Sequence, residues 1–199
     1  MTLVGLIRHG RTDWNERRRI QGHTDRPLSA RGCAEMGARR PPPELTDAAW
    51  FTSPLLRTRQ TAELLGITSF RTDRRLIEMS FGRWEGNTLE ELRTADPDAV
   101  SANEDKGLDF RAPGGESPRD VCRRLLDWLN AHAQYPALAA ITHNGVIRAA
   151  VSMALDWDMT GSPPLKPDWA CAHLFRFEGG RLRPDRLNLP LPVRTERAP

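Results

Sequence analysis

Lysine is almost missing from this chain. Of 29 basic residues among 199, lysine supplies only Lys106 and Lys166, and the rest are arginine. The planar arginine fork holds phosphate or carboxylate through paired hydrogen bonds, although an arginine-rich genome produces the same composition. The formal net charge is only +3, and no basic stripe or aromatic-interleaved patch marks a nucleic-acid track. Cysteine is equally scarce. Cys33, Cys122 and Cys171 form an odd, widely spaced set without a Cys-x-x-Cys pair, which argues against a disulfide framework and a thiolate zinc site. No apolar run approaches the roughly eighteen residues of a membrane span, and no basic leader precedes a signal-length apolar stretch. The expectation is a soluble, cytoplasmic protein whose partners include neither membrane nor nucleic acid; its oligomeric state, monomer or homodimer, stays open.

What is present is a globular composition, 39% apolar and 28% charged, in a chain long enough for one real core. Two short apolar runs stand out. The run from Thr2 to Ile7 stops at Arg8-His9-Gly10, and the run from Ala137 to Thr142 stops at His143-Asn144-Gly145. Each reads as a buried strand delivering a histidine at its carboxyl end, where open parallel α/β sheets bind their ligands. Between them, Ser29 is a candidate helix cap, Pro41 to Pro43 close that helix, and Ala48 to Thr52 reads as another buried strand. Ser53-Pro54 is expected to cap the next helix, with proline at its first position. Residues 69–72 are a third candidate strand. Residues 79–115, with glycines, charges and one short helical stretch at 88–94, read as a lid over the strand ends. Ser117-Pro118-Arg119-Asp120 is a strong helix start, followed by an apolar stripe of Val121, Leu125 and Leu129. A terminal hairpin follows from Cys171, turning at Gly179-Gly180. The expected organisation is one α/β domain over 1–186 and a loose tail over 187–199.

The histidines suit phosphoryl chemistry. A neutral imidazole is a competent nucleophile near neutral pH, since its ordinary pKa is about 6.5. Gly10 is expected to admit a phosphate closely, with neighbouring main-chain N–H groups donating to it. A second imidazole, held protonated, suits the equatorial oxygens of a transferring phosphoryl group. Metal ligation is the rival use of two histidines, but there is no His-x-x-x-His helix pair or aspartate cluster to complete a ligand set. No Gly-Lys-Ser/Thr follows the first strand, so it does not open a P-loop.

Five blocks, in order, resemble the phosphoglycerate mutase-like branch of the histidine phosphatase superfamily. They are Arg8-His9-Gly10 with Thr12, Asn15, Gln21-Gly22 and Pro27-Leu28-Ser29; Ser53 to Ala62; Leu76 to Gly86; Pro113-Gly114-Gly115-Glu116-Ser117; and Ile141 to Arg148. The resemblance implies a three-layer α/β/α sandwich, with a mostly parallel central sheet flanked by helices and a small inserted lid. It implies a metal-independent phosphomonoesterase acting on a small phosphorylated metabolite, with no cofactor. His9 becomes the nucleophile and carries the phosphoryl group. Arg8, Arg57 and His143 bind its oxygens, with Asn15 a neutral donor and Asn144, Gln21 and Gly22 also at the binding site. Glu78 becomes the acid and base.

Glu85, in a turn, and Glu116, before a helix N-terminus where an acid is favourable anyway, are the structural-looking rivals to Glu78. Arg59 is expected to face away from Arg57. Trp14 and Trp84 are expected in core or lid packing, and the other four tryptophans are left to structure. Two departures from the family pattern matter: Asn144 stands where glycine is common, and Arg11 where a neutral or acidic residue is usual. Met79-Ser80-Phe81 after the glutamate favours a phosphatase over a mutase of the same chemistry, which commonly has Arg-His-Tyr there. The short lid resembles that of small-molecule phosphatases, including those acting on α-ribazole phosphate. A phosphate-binding module without turnover is the third alternative.

Overall fold

The computed structural model describes residues 1–194, apart from the side chains of Ala99 and Glu104. Its centre is a six-stranded mixed sheet of order β3-β2-β4-β1-β5-β6. The strands are β1 (Thr2–Arg8), β2 (Ala49–Thr52), β3 (Arg71–Thr72), β4 (Ala137–Thr142), β5 (Cys171–Glu178) and β6 (Arg181–Pro190). β1, β2, β3 and β4 run parallel, while β5 and β6 add an antiparallel edge. The helices are α1 (Asp13–Glu16), α2 (Ala30–Gly37), α3 (Leu56–Leu64), α4 (Leu89–Ala95), α5 (Pro97–Glu104), α6 (Pro118–Ala131) and α7 (Asn144–Leu155).

Strand alternation creates the layers. Val4, Leu6, Leu138 and Ala140 share one core with Val121, Leu125 and Leu129 of α6 and with Val146, Ile147 and Ala150 of α7. Ile7, Ala139 and Ile141 point the other way, into a core with Met36 of α2 and with Ala62 and Leu65 around α3. Successive strand residues face opposite sides, so both faces are apolar and both are covered by helices. The α/β/α sandwich follows from that pattern. Leu125 and Leu129 are fully buried, and truncating either to alanine costs about 2–5 kcal/mol.

The α6 start is a capping box. The Ser117 hydroxyl accepts from the Asp120 N–H at 3.2 Å, and the Asp120 carboxylate accepts from the Ser117 N–H at 3.1 Å. Ser29 likewise caps α2, accepting from Gly32 N–H. At α3 the expected cap is displaced. The helix begins at Leu56, with Leu55 as N-cap and no side-chain cap bond. Ser53 instead accepts from the Leu55 N–H at 3.2 Å, and this turn is what drops Arg57 into the interior.

The expected tail at 187–199 is corrected for its first residues. Residues 187–190 belong to β6, where Leu189 pairs with Ala172 and Pro190 with Cys171, and Leu191 is buried. Proline is tolerated there because β6 is an edge strand, with no neighbour awaiting its missing N–H. Residues 195–199 lie outside the described residues. The 79–115 segment holds α4, α5 and two short 3₁₀ turns, packed on a small cluster of Trp84, Val100 and Ala112. α5 was not anticipated from the sequence.

Candidate active site

Register brings the two histidines together. β1 and β4 are parallel neighbours with Arg8 opposite Thr142, and the His9 N–H donates to the Thr142 carbonyl at 3.0 Å. Both chains then leave the sheet together, and the rings of His9 and His143 lie edge to face, with centroids 5.1 Å apart. Both are buried. His9 Nδ1 lies 2.7 Å from the Gly10 carbonyl, an acceptor only, so Nδ1 carries the ring proton and Nε2 is left with its lone pair. Burial, reinforced by Arg8 and Arg57, holds His9 well below the ordinary histidine range. His143 is held down by burial, Arg57 and His9, so both rings are neutral rather than His143 being protonated. Among the described residues, neither His143 ring nitrogen has a hydrogen-bond partner. A buried polar atom without a partner is costly, and two on one ring mark a place kept for a ligand.

Arg57 is fully buried. Its guanidinium donates to the carbonyls of Gly22 at 2.8 Å and Thr24 at 3.0 Å, while Nε is unpartnered. Gly22 is required by its backbone, at φ +53, and by crowding: a Cβ would meet the Glu85 carboxylate at 2.0 Å. Arg8 Nε is also buried without a partner. The guanidinium lies over the ring of Trp169 at 5.4 Å. Arg59 is exposed.

Glu78 is buried beside this cradle. Its Oε1 accepts from the Met79 N–H at 2.8 Å and the Gly145 N–H at 2.9 Å. Burial raises its pKa above the usual carboxylate range, against the Met79 N–H, Arg57 and Arg8, which pull it down. The rival acids are otherwise engaged. The Glu85 carboxylate accepts from the N–H groups of His23, Thr24 and Phe81 and from the Thr24 hydroxyl, tying the 21–24 loop to the 79–115 segment. Glu116 forms a two-pronged ion pair with Arg124, at 3.1 and 3.2 Å, and accepts from the Ser80 N–H at 2.9 Å. Burial pushes Glu116 up, but His23, Arg124 and that N–H outweigh it and hold it at about 2. A carboxyl that stays ionised has no proton to give. Of Glu78 and Glu116, only Glu78 is shifted toward keeping its proton.

The remaining predicted residues are less directly placed. Asn15 caps α1 through its carbonyl, which accepts from the Thr12 N–H and hydroxyl at 3.1 Å each. Gln21 donates to the Thr12 hydroxyl at 2.6 Å, and its own carbonyl is buried without a partner. The expectation for Gly10 is corrected: its N–H is taken by the Thr61 hydroxyl at 2.9 Å, and a Cβ there would meet Met36 at 2.7 Å and the Gly32 carbonyl at 3.2 Å. Gly10 is small for packing on α2 rather than for admitting phosphate. Arg11 pairs with Glu35 at 3.2 Å with its side chain half exposed. Asn144 opens α7 with its side-chain carbonyl buried and unpartnered. Trp84 packs in the lid cluster and Trp14 beneath Arg26.

Sequence reasoning missed four contributors. Gly145 has no room for a side chain, since a Cβ would lie 2.4 Å from the Glu78 carboxylate. His23 Nε2 donates to the Glu78 main-chain carbonyl at 2.8 Å and lies 3.7 Å from Glu116. Arg124 also donates to the Arg75 carbonyl. Trp169 covers Arg8. Gly145 and Arg124 lie on α7 and α6, and His23 and Trp169 in loops; their contacts with Glu78, Arg75 and Arg8 join segments far apart in sequence.

A cavity of about 280 Å³ opens beside the carboxylate, between Glu78, Phe81, Asn144, Arg148 and Met159. A larger one, about 880 Å³, lies near Pro41, Trp50 and Phe70 at the amino-terminal end of β2. It holds none of the unpartnered groups just described, so chemistry outweighs volume in locating the site. Among the described residues, no group of three or more histidine, cysteine, aspartate or glutamate side chains is placed to hold a metal. No helix among them is long and apolar enough to cross a membrane.

Known proteins are similar to this chain in sequence and fold. The chain is 31% identical over 161 residues to phosphoglycerate mutase-like protein 4 of Arabidopsis thaliana, covering 76% of this chain and 70% of that protein. It is 34% identical over 143 residues to the probable phosphoglycerate mutase GpmB of Klebsiella pneumoniae, covering 69% and 66%. The chain thus spans about two thirds of the length of these curated relatives. A solved mycobacterial glucosyl-3-phosphoglycerate phosphatase superposes with a TM-score of 0.74 at 26% identity, over 95% of this chain and 100% of that one. The profile of the histidine phosphatase superfamily (branch 1) matches residues 4–190. By its sequence, its sheet and its paired histidines, this chain belongs to the histidine phosphatase superfamily.

Proposed function

We propose that this protein hydrolyses a small phosphorylated metabolite without a metal, through a phosphohistidine on His9. The bare Nε2 of His9 attacks phosphorus, and the bond between phosphorus and the ester oxygen breaks. Glu78 gives its proton to the departing alkoxide. The resulting carboxylate takes a proton from water, whose oxygen attacks phosphorus; the bond to Nε2 breaks and inorganic phosphate leaves. Arg8, Arg57 and the N–H of His143 hold the charged oxygens throughout. Fixed charge of this kind is the main contribution a protein makes to phosphoryl transfer, and two guanidinium groups supply what a divalent cation supplies elsewhere.

The observation that carries this reading is the pairing of a ring nitrogen left unprotonated by the Gly10 carbonyl with a buried carboxyl of raised pKa. One is set up to attack and the other to donate. The cavity beside Glu78, about 280 Å³, is at the small end of ligand pockets and suits the leaving alcohol of a metabolite better than a protein segment. Asn144 and Arg148 are the polar groups there.

The test is turnover of p-nitrophenyl phosphate in excess EDTA. Chelator-resistant release of nitrophenol that disappears in His9→Ala supports the reading, and loss of turnover on chelation contradicts it. Supplying 3-phosphoglycerate with a bisphosphoglycerate primer separates a mutase, which returns the phosphoryl group to bound product, from a phosphatase, which releases it to water.

A further inference from the structure

The two arginines of the phosphate cradle are held in different ways. Arg57 is anchored by two main-chain carbonyls, those of Gly22 and Thr24. Arg8 has no hydrogen bond to any acceptor and no ion pair among the described residues; its Nε is buried and unpartnered. A long side chain with rotamer freedom and no anchoring bond is a poor preorganised ligand. Beyond the attraction of the Glu78 carboxylate, the guanidinium faces the ring of Trp169, with its central carbon 5.4 Å from the ring centroid. That distance lies within cation–π range.

The fold puts this tryptophan there by register. β5 runs antiparallel to β1, with Ala172 opposite Ile7. The chain entering β5 therefore passes the carboxyl end of β1, where the catalytic loop leaves the sheet. Trp169 lies two residues before the first residue of β5 and is only partly buried. It packs against the α6–α7 core from one side and meets Arg8 with its ring.

We propose that Trp169 is a positioning residue: the face of its ring attracts the Arg8 guanidinium and holds it aimed into the phosphate site before substrate arrives. The ring face attracts the guanidinium charge without using up its N–H groups, which stay free for oxygen. An aliphatic side chain of similar bulk fills the same space without that orienting force. The inference rests on Arg8 being a phosphate ligand, as proposed above.

The experiment compares Trp169→Phe, Trp169→Leu and Arg8→Lys for competitive inhibition by inorganic phosphate during p-nitrophenyl phosphate turnover, with thermal melting measured alongside. Trp169→Leu is expected to weaken phosphate inhibition about tenfold and raise KM similarly, with kcat changed less and melting unmoved; Trp169→Phe restores most of the affinity. In the Arg8→Lys background, Trp169→Leu adds little further loss. Equal phosphate affinity in the Phe and Leu variants, or a loss that follows melting temperature, overturns the positioning role. If Arg8→Lys itself leaves phosphate affinity unchanged, the cradle reading fails instead, and the two failures are told apart.

Discussion

Glu78 and Gly145 are joined across the site: the carboxylate oxygen accepts the glycine N–H at 2.9 Å. Gly145 follows His143 by two residues in the first turn of α7. The acid is thus fixed to the same helix start that presents the second imidazole, and the helix dipole favours the negative charge that Glu78 acquires once its proton has gone.

This contact makes Gly145→Ala informative. A methyl group there would lie 2.4 Å from the Glu78 carboxylate, so the acid must move away. The expected outcome is a loss in kcat of about one to two orders of magnitude, with little change in phosphate inhibition. Steady-state kinetics on p-nitrophenyl phosphate, with circular dichroism to establish folding, checks it. Unchanged kcat in a folded variant contradicts the placement of Glu78.

Glu78→Gln keeps shape and removes the proton. Loss of a general acid typically costs about 10²–10⁴ in rate. The loss is expected to be larger for alkyl phosphates, whose leaving alkoxide needs a proton, than for p-nitrophenyl phosphate, whose phenolate leaves readily. Comparing the two substrates in one variant measures this; equal losses speak against Glu78 as the acid in the first step.

The pH dependence follows from opposite demands. In the proposed mechanism His9 acts unprotonated, and its pKa is held well below the ordinary value, so the acid limb of kcat/KM is expected below about 6.5. Glu78 is proposed to act first in its protonated form, and its pKa is raised, so the alkaline limb is expected above about 4.3. Activity is expected to fall as pH rises through the Glu78 value. A pH profile of wild type and Glu78→Gln tests it: the descending limb should vanish in the variant.

Glu116 is expected to show in stability rather than in the rate profile. Its folded-state pKa of about 2 lies below the ordinary value of about 4.3. Its contribution is therefore present above the ordinary value and is lost as pH falls through the folded one. Urea unfolding of wild type and Glu116→Gln across that window should converge at the acid end. A gap that stays constant there contradicts the assignment of this carboxylate to the Arg124 pair.

Much of this was legible because it rests on short-range patterns. The runs ending at His9 and His143 are strands because both sheet faces are buried, and their apolar residues say so directly. Ser29, Ser117 and Asp120 announced helix starts through bonds that span only three residues. The failures are of another kind. Pro190 looked like tail, because an edge strand's freedom from pairing cannot be seen without knowing which strand is at the edge. Gly10 looked like a phosphate contact, whereas its smallness serves α2, packed against it from sixteen or more residues away in sequence. Trp169 looked like filler because its partner, Arg8, lies at the other end of the chain.

The most direct measurement is chemical trapping. Glu78→Gln should let His9 attack a phosphate with a good leaving group but leave water unactivated for the second step. Rapid quenching under alkaline conditions, which preserve phosphohistidine, followed by peptide mass spectrometry should then find one phosphoryl group, on His9, and none in Glu78→Gln/His9→Ala. Turnover by the wild type with no phosphoryl group on His9 in the trapped variant, or with the group on another residue, would contradict the account.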